Sequence, residues 1–195
     1  MLARVCGRRT LVLQKSLRLL ERADKLSQSQ DPDIVCELGY QLSLLGDYQG
    51  AFKTYQQAAA LDTTGNNMEP LYGMIYCKVR QDMLEEASEQ LEFLNDIQTD
   101  SKQAMHLFLM ALVEWKKNHH KDKSIALLNK CLSLHVQSTK GVRAGFEFYI
   151  KLNPDFLLEL AKEFVQHIGI KPLQAGEKVP PFLNKAIKLL ENVTK

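Results

Sequence analysis

Apolar residues recur every three to four positions along most of the chain, which predicts a succession of amphipathic α-helices. In the clearest stretch, small, aromatic and aliphatic residues stand at fixed offsets over two such helices: Val35, Leu38, Gly39, Leu42, Gly46, Ala51, Tyr55 and Ala58. A large residue and a Leu-Gly pair on the first helix would accept a small residue and an aromatic ring from the second, so the two helices pack closely. Because one helix pair cannot bury its own apolar face, the pattern predicts a stack of pairs.

These offsets are the spacing of a tetratricopeptide repeat, and they return in residues 68–98. Tyr72 and Gly73 lie on the first helix of this second pair, and Ala87 and Leu91 lie on the second helix. Ala87 comes two residues later than the offsets require, which predicts a connection two residues longer than standard. Gly39, at the predicted crossing of the first pair, is expected to be the position most sensitive to a larger side chain.

A third pair is predicted over residues 105–135. Its packing positions hold Phe108, Ala111, Leu112, Ser124, Leu128 and Cys131. Leu112 stands where the other pairs have glycine, so we expect this pair to be splayed. The fold class predicted from all three pairs is all-α, a tetratricopeptide-repeat α-solenoid of stacked antiparallel helix pairs.

The three pairs occupy residues 31–138, and two further parts flank them. Residues 1–30 hold the second helix of a repeat whose first helix is absent, as if the chain were cut from a longer solenoid. Residues 139–195 continue as divergent helices, with a helix start at Asn153 and Pro154 and a loop near residues 170–181. Solenoid ends without capping repeats are apolar, which predicts self-association.

Composition and charge narrow the class of protein. The chain has 195 residues, of which 45% are apolar and 25% charged, and its formal charge is +2. This near-neutral balance indicates no nucleic-acid partner. No run of about 18 apolar residues occurs, so no transmembrane segment is predicted. The four cysteines lack the spacing of metal ligands and are interpreted as small apolar residues in a reducing, cytosolic compartment.

Few residues are candidates for chemistry. His119 and His120 stand between lysines, where a solvated turn is the better interpretation. Four glutamates in residues 85–92 lie on adjacent turns of one polar helix face. The chain has no GxxxxGK[ST] phosphate loop, no GxGxxG after a strand and no GxSxG. The sequence therefore predicts a protein that is not an enzyme, with no catalytic residue, cofactor or metal site.

The first-helix positions that line the inner groove of such a stack are unusually apolar. The candidate groove residues are Cys36, Tyr40, Met74, Leu109 and Val113. Chaperone-binding modules place Lys, Asn and Arg at these positions to hold a terminal carboxylate, which the present side chains cannot do. An apolar groove either receives a helix or extended peptide, or is filled by the superhelix curling on itself or on a neighbour. We favour protein packing over ligand binding.

Four stretches resemble the tetratricopeptide repeat protein 21 family: VCGR at residues 5–8, ELGYQ at 37–41, QLEFLNDIQ at 90–98 and KLNPDFLLE at 151–159. The last stretch lies outside the generic repeat and is the more specific match. Members of this family are large subunits of intraflagellar transport complex A, and the chain would correspond to an internal segment of one.

The resemblance implies a non-enzymatic scaffold for retrograde ciliary transport and cilium assembly. It implies other complex A subunits as protein partners, and a location in the cytoplasm and the cilium, including the basal body and axoneme. It transfers no catalytic residue and no partner-contact residue. The alternative is a generic cytosolic tetratricopeptide adaptor that binds a peptide or helix in its apolar groove.

Overall fold

The computed structural model describes residues 9–63, 65, 67–97, 103–143, 145–167 and 181–194. Every regular element in those ranges is an α-helix, which confirms the predicted all-α repeat fold. The helices, in chain order, are α1 (Thr10–Leu26), α2 (Pro32–Leu44), α3 (Tyr48–Leu61), α4 (Glu69–Arg80), α5 (Leu84–Ile97), α6 (Ala104–Lys116), α7 (Lys121–Thr139), α8 (Phe146–Leu152), α9 (Pro154–Gln166) and α10 (Pro181–Thr194). Two compact units divide the chain: unit 1 (Met1–Ser101) contains α1 to α5, and unit 2 (Lys102–Lys195) contains α6 to α10.

Short acidic side chains fix where the helices of the first pair begin. Asp31 accepts hydrogen bonds from the backbone N–H groups of Asp33 and Ile34, at 3.0 and 3.3 Å, at the start of α2. Asp47 accepts one from the N–H of Gly50 at 2.9 Å, at the start of α3. Each carboxylate satisfies N–H groups that have no partner within the helix. Polar residues between the apolar stretches thus fix the start of both helices in the first pair.

In unit 1, each helix packs on its neighbours in sequence. The helices α2 and α3 form the first predicted pair and α4 and α5 the second, while α1 packs on α2, and α4 contacts both α2 and α3. One buried core cluster joins the two pairs: Val35, Cys36, Ala51, Tyr55, Ala58 and Cys77. The predicted orphan helix of residues 1–30 corresponds to α1; residues 1–8 lie outside the described part.

The predicted long connection in the second pair is wrong. The connections inside the first and second pairs have the same length, residues 45–47 and 81–83. Instead, α4 continues further beyond Gly73, to Arg80, than α2 continues beyond Gly39. The extra residues remain helical because they join the core: Cys77 and Val79, in the last turns of α4, are fully buried.

In unit 2, α6 packs on α7, α7 also contacts α8 and α9, and α9 packs on α10. Asn153 separates α8 from α9 with a left-handed backbone (φ 41°), and its side chain accepts a hydrogen bond from the N–H of Phe156 at 3.2 Å. Asparagine both tolerates this conformation and caps the next helix. The predicted loop near residues 170–181 lies outside the described residues, except that α10 begins at Pro181.

The third pair is closely packed where α6 and α7 cross, contrary to the splaying expected from Leu112. The Ser124 hydroxyl of α7 donates a hydrogen bond to the backbone carbonyl of Ala111 on α6, at 2.9 Å. A hydroxymethyl group is small enough to let the second helix reach the backbone of the first. The small side chain of Ser124 on α7 therefore allows the two helices to approach closely, although α6 lacks the glycine that the other pairs have.

Candidate functional site

The ring of Tyr55 fills the space between two glycines of unit 1. A Cβ atom at Gly39 would lie 3.0 Å from this ring, and one at Gly73 would lie 2.5 Å from it. Tyr55 projects from α3, and the glycines belong to α2 and α4, so one ring packs against both flanking helices. The absent side chains at the two glycines are what allow three helices to approach one aromatic ring.

The other predicted repeat-packing residues lie mostly inside their units. Ala51, Ala58, Tyr72, Ala87, Leu91, Ala111 and Leu128 are buried, whereas Leu38 is half-buried. The small residues Ala51, Ala58 and Ala87 are fully enclosed. They allow close contact between helix backbones, as small residues do in other repeat arrays.

Most candidate groove residues also belong to the interior. Cys36, Leu109 and Val113 are buried, and Leu109 has no exposed surface. Tyr40 and Met74 are half-buried and pack against the core cluster of unit 1. The buried candidates therefore stabilise the stack, and of the five candidate groove residues only Tyr40 and Met74 offer surface to a partner.

A recess of about 310 Å³ opens between α3, α4 and α5 of unit 1. Its lining residues are Gln49, Phe52, Lys53, Lys78, Gln81, Met83 and Glu86. Sequence reasoning missed this recess because its walls come from three helices. The size is at the small end for a ligand site and suits a single side chain of a protein partner.

Lys78 is the buried charged residue of the recess. Although the residue is only 8% exposed, its ammonium group lies 2.9 Å from the carboxylate of Glu86 and 5.7 Å from the centre of the Phe52 ring. A buried ammonium group needs such a partner because losing its hydration is costly. Sequence reasoning missed this pair, because the two residues lie on different helices and meet only when the helices pack.

An aromatic and cationic cluster lies on the same helices. The Arg80 Nε donates a hydrogen bond to the Tyr48 hydroxyl at 3.2 Å. The guanidinium group also lies 5.6 and 5.9 Å from the ring centres of Tyr48 and Tyr76, which meet edge to face. These contacts order the exposed arginine side chain and link the end of α4 to the start of α3.

Unit 2 contains a serine and a histidine that superficially suggest a catalytic pair. The Oγ of Ser124 lies 3.2 Å from Nε2 of His167, and both residues are buried. However, the single hydroxyl proton of Ser124 is donated to the carbonyl of Ala111. His167 must therefore donate from Nε2 to the serine, which leaves no base to activate the hydroxyl. The pair is therefore a structural hydrogen bond between two buried side chains.

The environment of His167 favours its neutral form. Burial lowers the pKa of its imidazole, and the positive charge of Lys121 lowers it further. The Trp115 ring lies edge to face at 4.6 Å between ring centres. His135 is similar: burial lowers the pKa of its imidazole despite a 2.9 Å hydrogen bond to the carbonyl of Leu152.

The turn between α6 and α7 is organised by Glu114. Its carboxylate accepts hydrogen bonds from Asn118 and His120, both at 3.1 Å, and from Lys123. Partial burial acts to raise the pKa of this carboxyl, but these three hydrogen bonds outweigh it and lower the pKa. His119 and His120 are both exposed in this turn. Among the described residues, no group of His, Cys, Asp or Glu is arranged to hold a metal ion.

Two of the described cysteines are held as unreactive thiols. Cys36, Cys77 and Cys131 are buried free thiols. Burial raises the pKa of Cys77 and of Cys131 to about 12, with the charge of Asp47 adding to the effect at Cys77. These two thiols remain protonated at neutral pH and are neither nucleophiles nor metal ligands in this state. No described helix has the length and apolar character needed to cross a membrane.

The fold and these surfaces define a helical-repeat scaffold. The family model for the second ARM domain of tetratricopeptide repeat protein 21 matches residues 1–195. The chain therefore belongs to the tetratricopeptide repeat protein 21 family.

Curated relatives agree with this assignment. The chain is 39% identical to tetratricopeptide repeat protein 21B of Homo sapiens over 99% of its length, and 35% identical to the Mus musculus protein 21B over 98%. Tetratricopeptide repeat protein 21A of Mus musculus is 33% identical over the whole chain. The chain spans only 14 to 15% of the length of these relatives.

Among solved structures, MamA 41-end from Desulfovibrio magneticus RS-1 aligns with 94% of this chain and 84% of its own length. The TM-score is 0.47 and the sequence identity 16%.

Proposed function

We propose that the chain is a non-enzymatic protein-interaction scaffold that takes part in intraflagellar transport as part of complex A. In this role it supports retrograde ciliary transport and cilium assembly, binds other complex A subunits, and is found in the cytoplasm and the cilium, including the basal body and axoneme. The observation that carries the proposal is membership of the tetratricopeptide repeat protein 21 family along the whole chain.

The chemistry of the described residues supports a binding role over catalysis. The thiols of Cys77 and Cys131 are held protonated, and the hydroxyl of Ser124 is committed to a backbone carbonyl. The polar side chains with perturbed pKa values serve packing or a turn, and none belongs to a metal-binding group in the described ranges. A scaffold of this kind needs no cofactor.

Co-fractionation of ciliary extracts tests the proposal. The tagged chain is expressed in ciliated cells, and isolated cilia are extracted and separated by sedimentation. We expect the chain to sediment with complex A subunits, and a Lys130→Glu variant, altered at an exposed position of α7, to behave identically. A chain that is excluded from cilia, or that sediments only as free protein, contradicts the proposal.

The recess between α3, α4 and α5 favours a second candidate, a cytosolic adaptor for a peptide. An apolar side chain of a ligand would lie against Phe52 and Met83, with Lys53 and Lys78 close to an acidic neighbour in the ligand. Met83 and Lys53 are exposed, so Met83→Glu should abolish capture of such a peptide without unfolding the chain. Retention of complex A subunits by this variant, with no peptide ligand recovered by the wild type, excludes the adaptor.

A further inference from the structure

Three large apolar side chains are exposed on the outward side of α8. Phe146, Tyr149 and Ile150 are 46%, 58% and 40% exposed. At about 100° per residue, these three positions fall within an arc of about 100° on the helix, which we call the aromatic face. The Tyr149 ring lies edge to face with the ring of Phe148, with 6.1 Å between ring centres, so the ring is held by a neighbour. Three such residues on one side of a short helix form a continuous patch of the kind that binds a partner.

The remaining sides of α8 face its own unit or carry charges that are already paired. Phe148 and Leu152 are half-buried, and α8 packs on α7, where Nε2 of His135 donates a hydrogen bond to the carbonyl of Leu152 at 2.9 Å. On the flank, Lys151 and Glu147 form an ion pair at 3.0 Å. The aromatic face is therefore the side of α8 that a partner can reach.

The place of α8 in unit 2 is internal. It lies between α7 and α9, and the helices on both sides of it in sequence are described. The aromatic face stays exposed beside both of these neighbours. Its exposure is thus a property of an inserted helix, and differs from that of a first or last helix of a stack.

Two exposed cations, Lys140 and Arg143, precede the aromatic face. Neither makes an ion pair in the described part of the chain. Each carboxylate of α7, α8 and α9 is distant or engaged: Asp122 lies in the first turn of α7, Glu147 and Glu159 pair with lysines of their own helices, and Asp155 and Glu163 are buried. The two positive charges therefore lack a complement within these helices.

The cations lie at the N-terminal end of the aromatic face. Arg143 comes three residues before Phe146, and Cα atoms three residues apart are separated by at most about 11 Å. Lys140 follows the last residue of α7, the helix on which α8 packs. A complementary surface must therefore combine apolar side chains with carboxylates at one end.

We propose that the aromatic face binds a helix of a partner protein, with aliphatic side chains on the aromatic face and an acidic end against Arg143 and Lys140. A helix fits because an arc of about 100° matches the apolar stripe of one amphipathic helix. Aromatic residues and arginine are also the residue types that most often dominate binding energy at interfaces. The inference goes beyond the proposed transport role, because it rests on unit 2 alone and specifies the chemistry of the partner.

Two other occupants fit these charges less well. A second copy bound through the same face brings Glu147 as the only carboxylate of its α8, and that carboxylate is paired with Lys151. An anionic membrane is usually attracted by clusters of about four to eight Lys and Arg residues, whereas two unpaired cations precede the aromatic face. The Glu147 side chain, 73% exposed on the flank, would also lie close to the lipid phosphates.

Selection from a phage-displayed library of helical peptides tests the proposal. Each peptide is about four helical turns long and has randomised surface positions. The full chain is the bait, and phage that also bind a Tyr149→Ser, Ile150→Ser variant are removed, so the remaining sequences report on the aromatic face. We expect enrichment of Leu, Ile or Met at steps of three and four residues, with Asp or Glu clustered at one end.

Fluorescence anisotropy then measures the affinity of the most enriched peptide. Lys140→Glu with Arg143→Glu should weaken binding at least about tenfold, because attraction becomes repulsion. Lys130→Glu with Lys188→Glu makes the same change in net charge at exposed positions of unit 2 and should leave the affinity unchanged. Val165→Ser removes a different exposed apolar side chain and should also bind as the wild type does.

Two measurements keep the test independent of damage to the fold. Circular dichroism and thermal unfolding establish that every variant is folded. A peptide in which each Asp and Glu is replaced by Lys should bind the wild-type chain at least about tenfold more weakly, and this comparison requires no change to the protein.

Four results would overturn the proposal. The first is a selection that returns no peptide dependent on Tyr149 and Ile150. The second is enrichment of peptides without an acidic end, or binding that the Lys130 and Lys188 control weakens as much as the Lys140 and Arg143 variant does. The third is self-association of the wild type that Tyr149→Ser with Ile150→Ser abolishes, which would assign the face to a second copy. The fourth is binding to phosphatidylserine vesicles that the same two substitutions abolish.

Discussion

The ring of Tyr55 occupies the space that a side chain at Gly73 would need, since a Cβ atom there would lie 2.5 Å from two ring carbons. At Gly39 the corresponding distance is 3.0 Å, so the ring is closer to α4 than to α2. The contact joins the first helix pair to the second. It is therefore a contact between repeats as well as within one.

Gly73→Ala should destabilise unit 1 by about 1 to 3 kcal/mol, the usual cost of overpacking a core, despite the better helix propensity of alanine. Gly39→Ala should cost less, because its space is larger. The sequence predicted Gly39 as the position most sensitive to a larger side chain. The distances in the structure indicate Gly73 instead. Urea unfolding measures both free energies.

A double variant provides the control for this prediction. Combining Gly73→Ala with Tyr55→Leu removes the ring that causes the overlap, so the two costs should not add. Strict additivity of the two free-energy changes would place the cost of Gly73→Ala somewhere other than at the ring.

Gly46→Ala tests the connection between α2 and α3. Gly46 has φ 85°, and no atom lies within 4 Å of the position of an added Cβ, so the cost of a side chain is conformational. We expect Gly46→Ala to lower the free energy of unfolding by about 1 kcal/mol and Gly46→Asn to lower it less, because asparagine tolerates this backbone better. Equal effects in thermal unfolding would argue against a conformational cause.

Unfolding should depend on pH through His135 and His167. Burial holds both pKa values below the ordinary imidazole value of 6.5, so the unfolded chain binds protons more readily than the folded chain. Stability from the two neutral rings is therefore complete above about pH 6.5 and decreases as the pH falls through the folded-state values. Each ring contributes at most about 1.4 kcal/mol per pH unit.

The measurement is the free energy of urea unfolding at intervals from pH 7.5 to 5.5. The variant His167→Gln should have a weaker pH dependence, while His119→Gln, at an exposed position, should retain that of the wild type. An unchanged slope in the His167 variant would exclude this residue as a source of the dependence.

Lys78→Met should change stability by less than about 1 kcal/mol, because the variant removes the buried charge, keeps an apolar side chain of similar length and leaves a carboxylate that water can reach. Glu86 is more exposed than its partner, with 53% of its side chain accessible. Glu86→Gln should cost more than Lys78→Met, because it leaves the buried ammonium group without its carboxylate. A loss above about 3 kcal/mol in Lys78→Met, measured by chemical unfolding, would show that the charge stabilises the fold.

The helix pairs could be predicted from the sequence because local spacing encodes them. Apolar periodicity marks each helix, and small residues such as Gly39 and Ala51 mark where two helices meet. The extra residues of the second pair could not be assigned, because the same count fits a longer turn or a longer helix. The structure shows that they extend the helix, where Val79 is buried in the core.

Contacts between elements that are distant in sequence could not be predicted from the sequence. Ser124 and His167 lie 43 residues apart, and only the packing of α9 on α7 brings them together. The recess around Lys78 likewise depends on how three helices cross. The groove positions were assigned by analogy with other repeats, but three of the five side chains are buried.

Quantitative affinity purification of the tagged chain from ciliated cells tests the scaffold role most directly, with a Gly73→Leu variant as the disrupted control. We predict that the wild type recovers complex A subunits well above an untagged background and that Gly73→Leu, whose larger side chain separates α3 from α4, loses them. If the folded wild type recovers no complex A subunit, or if Gly73→Leu recovers them equally well, a role that depends on this helix packing is contradicted.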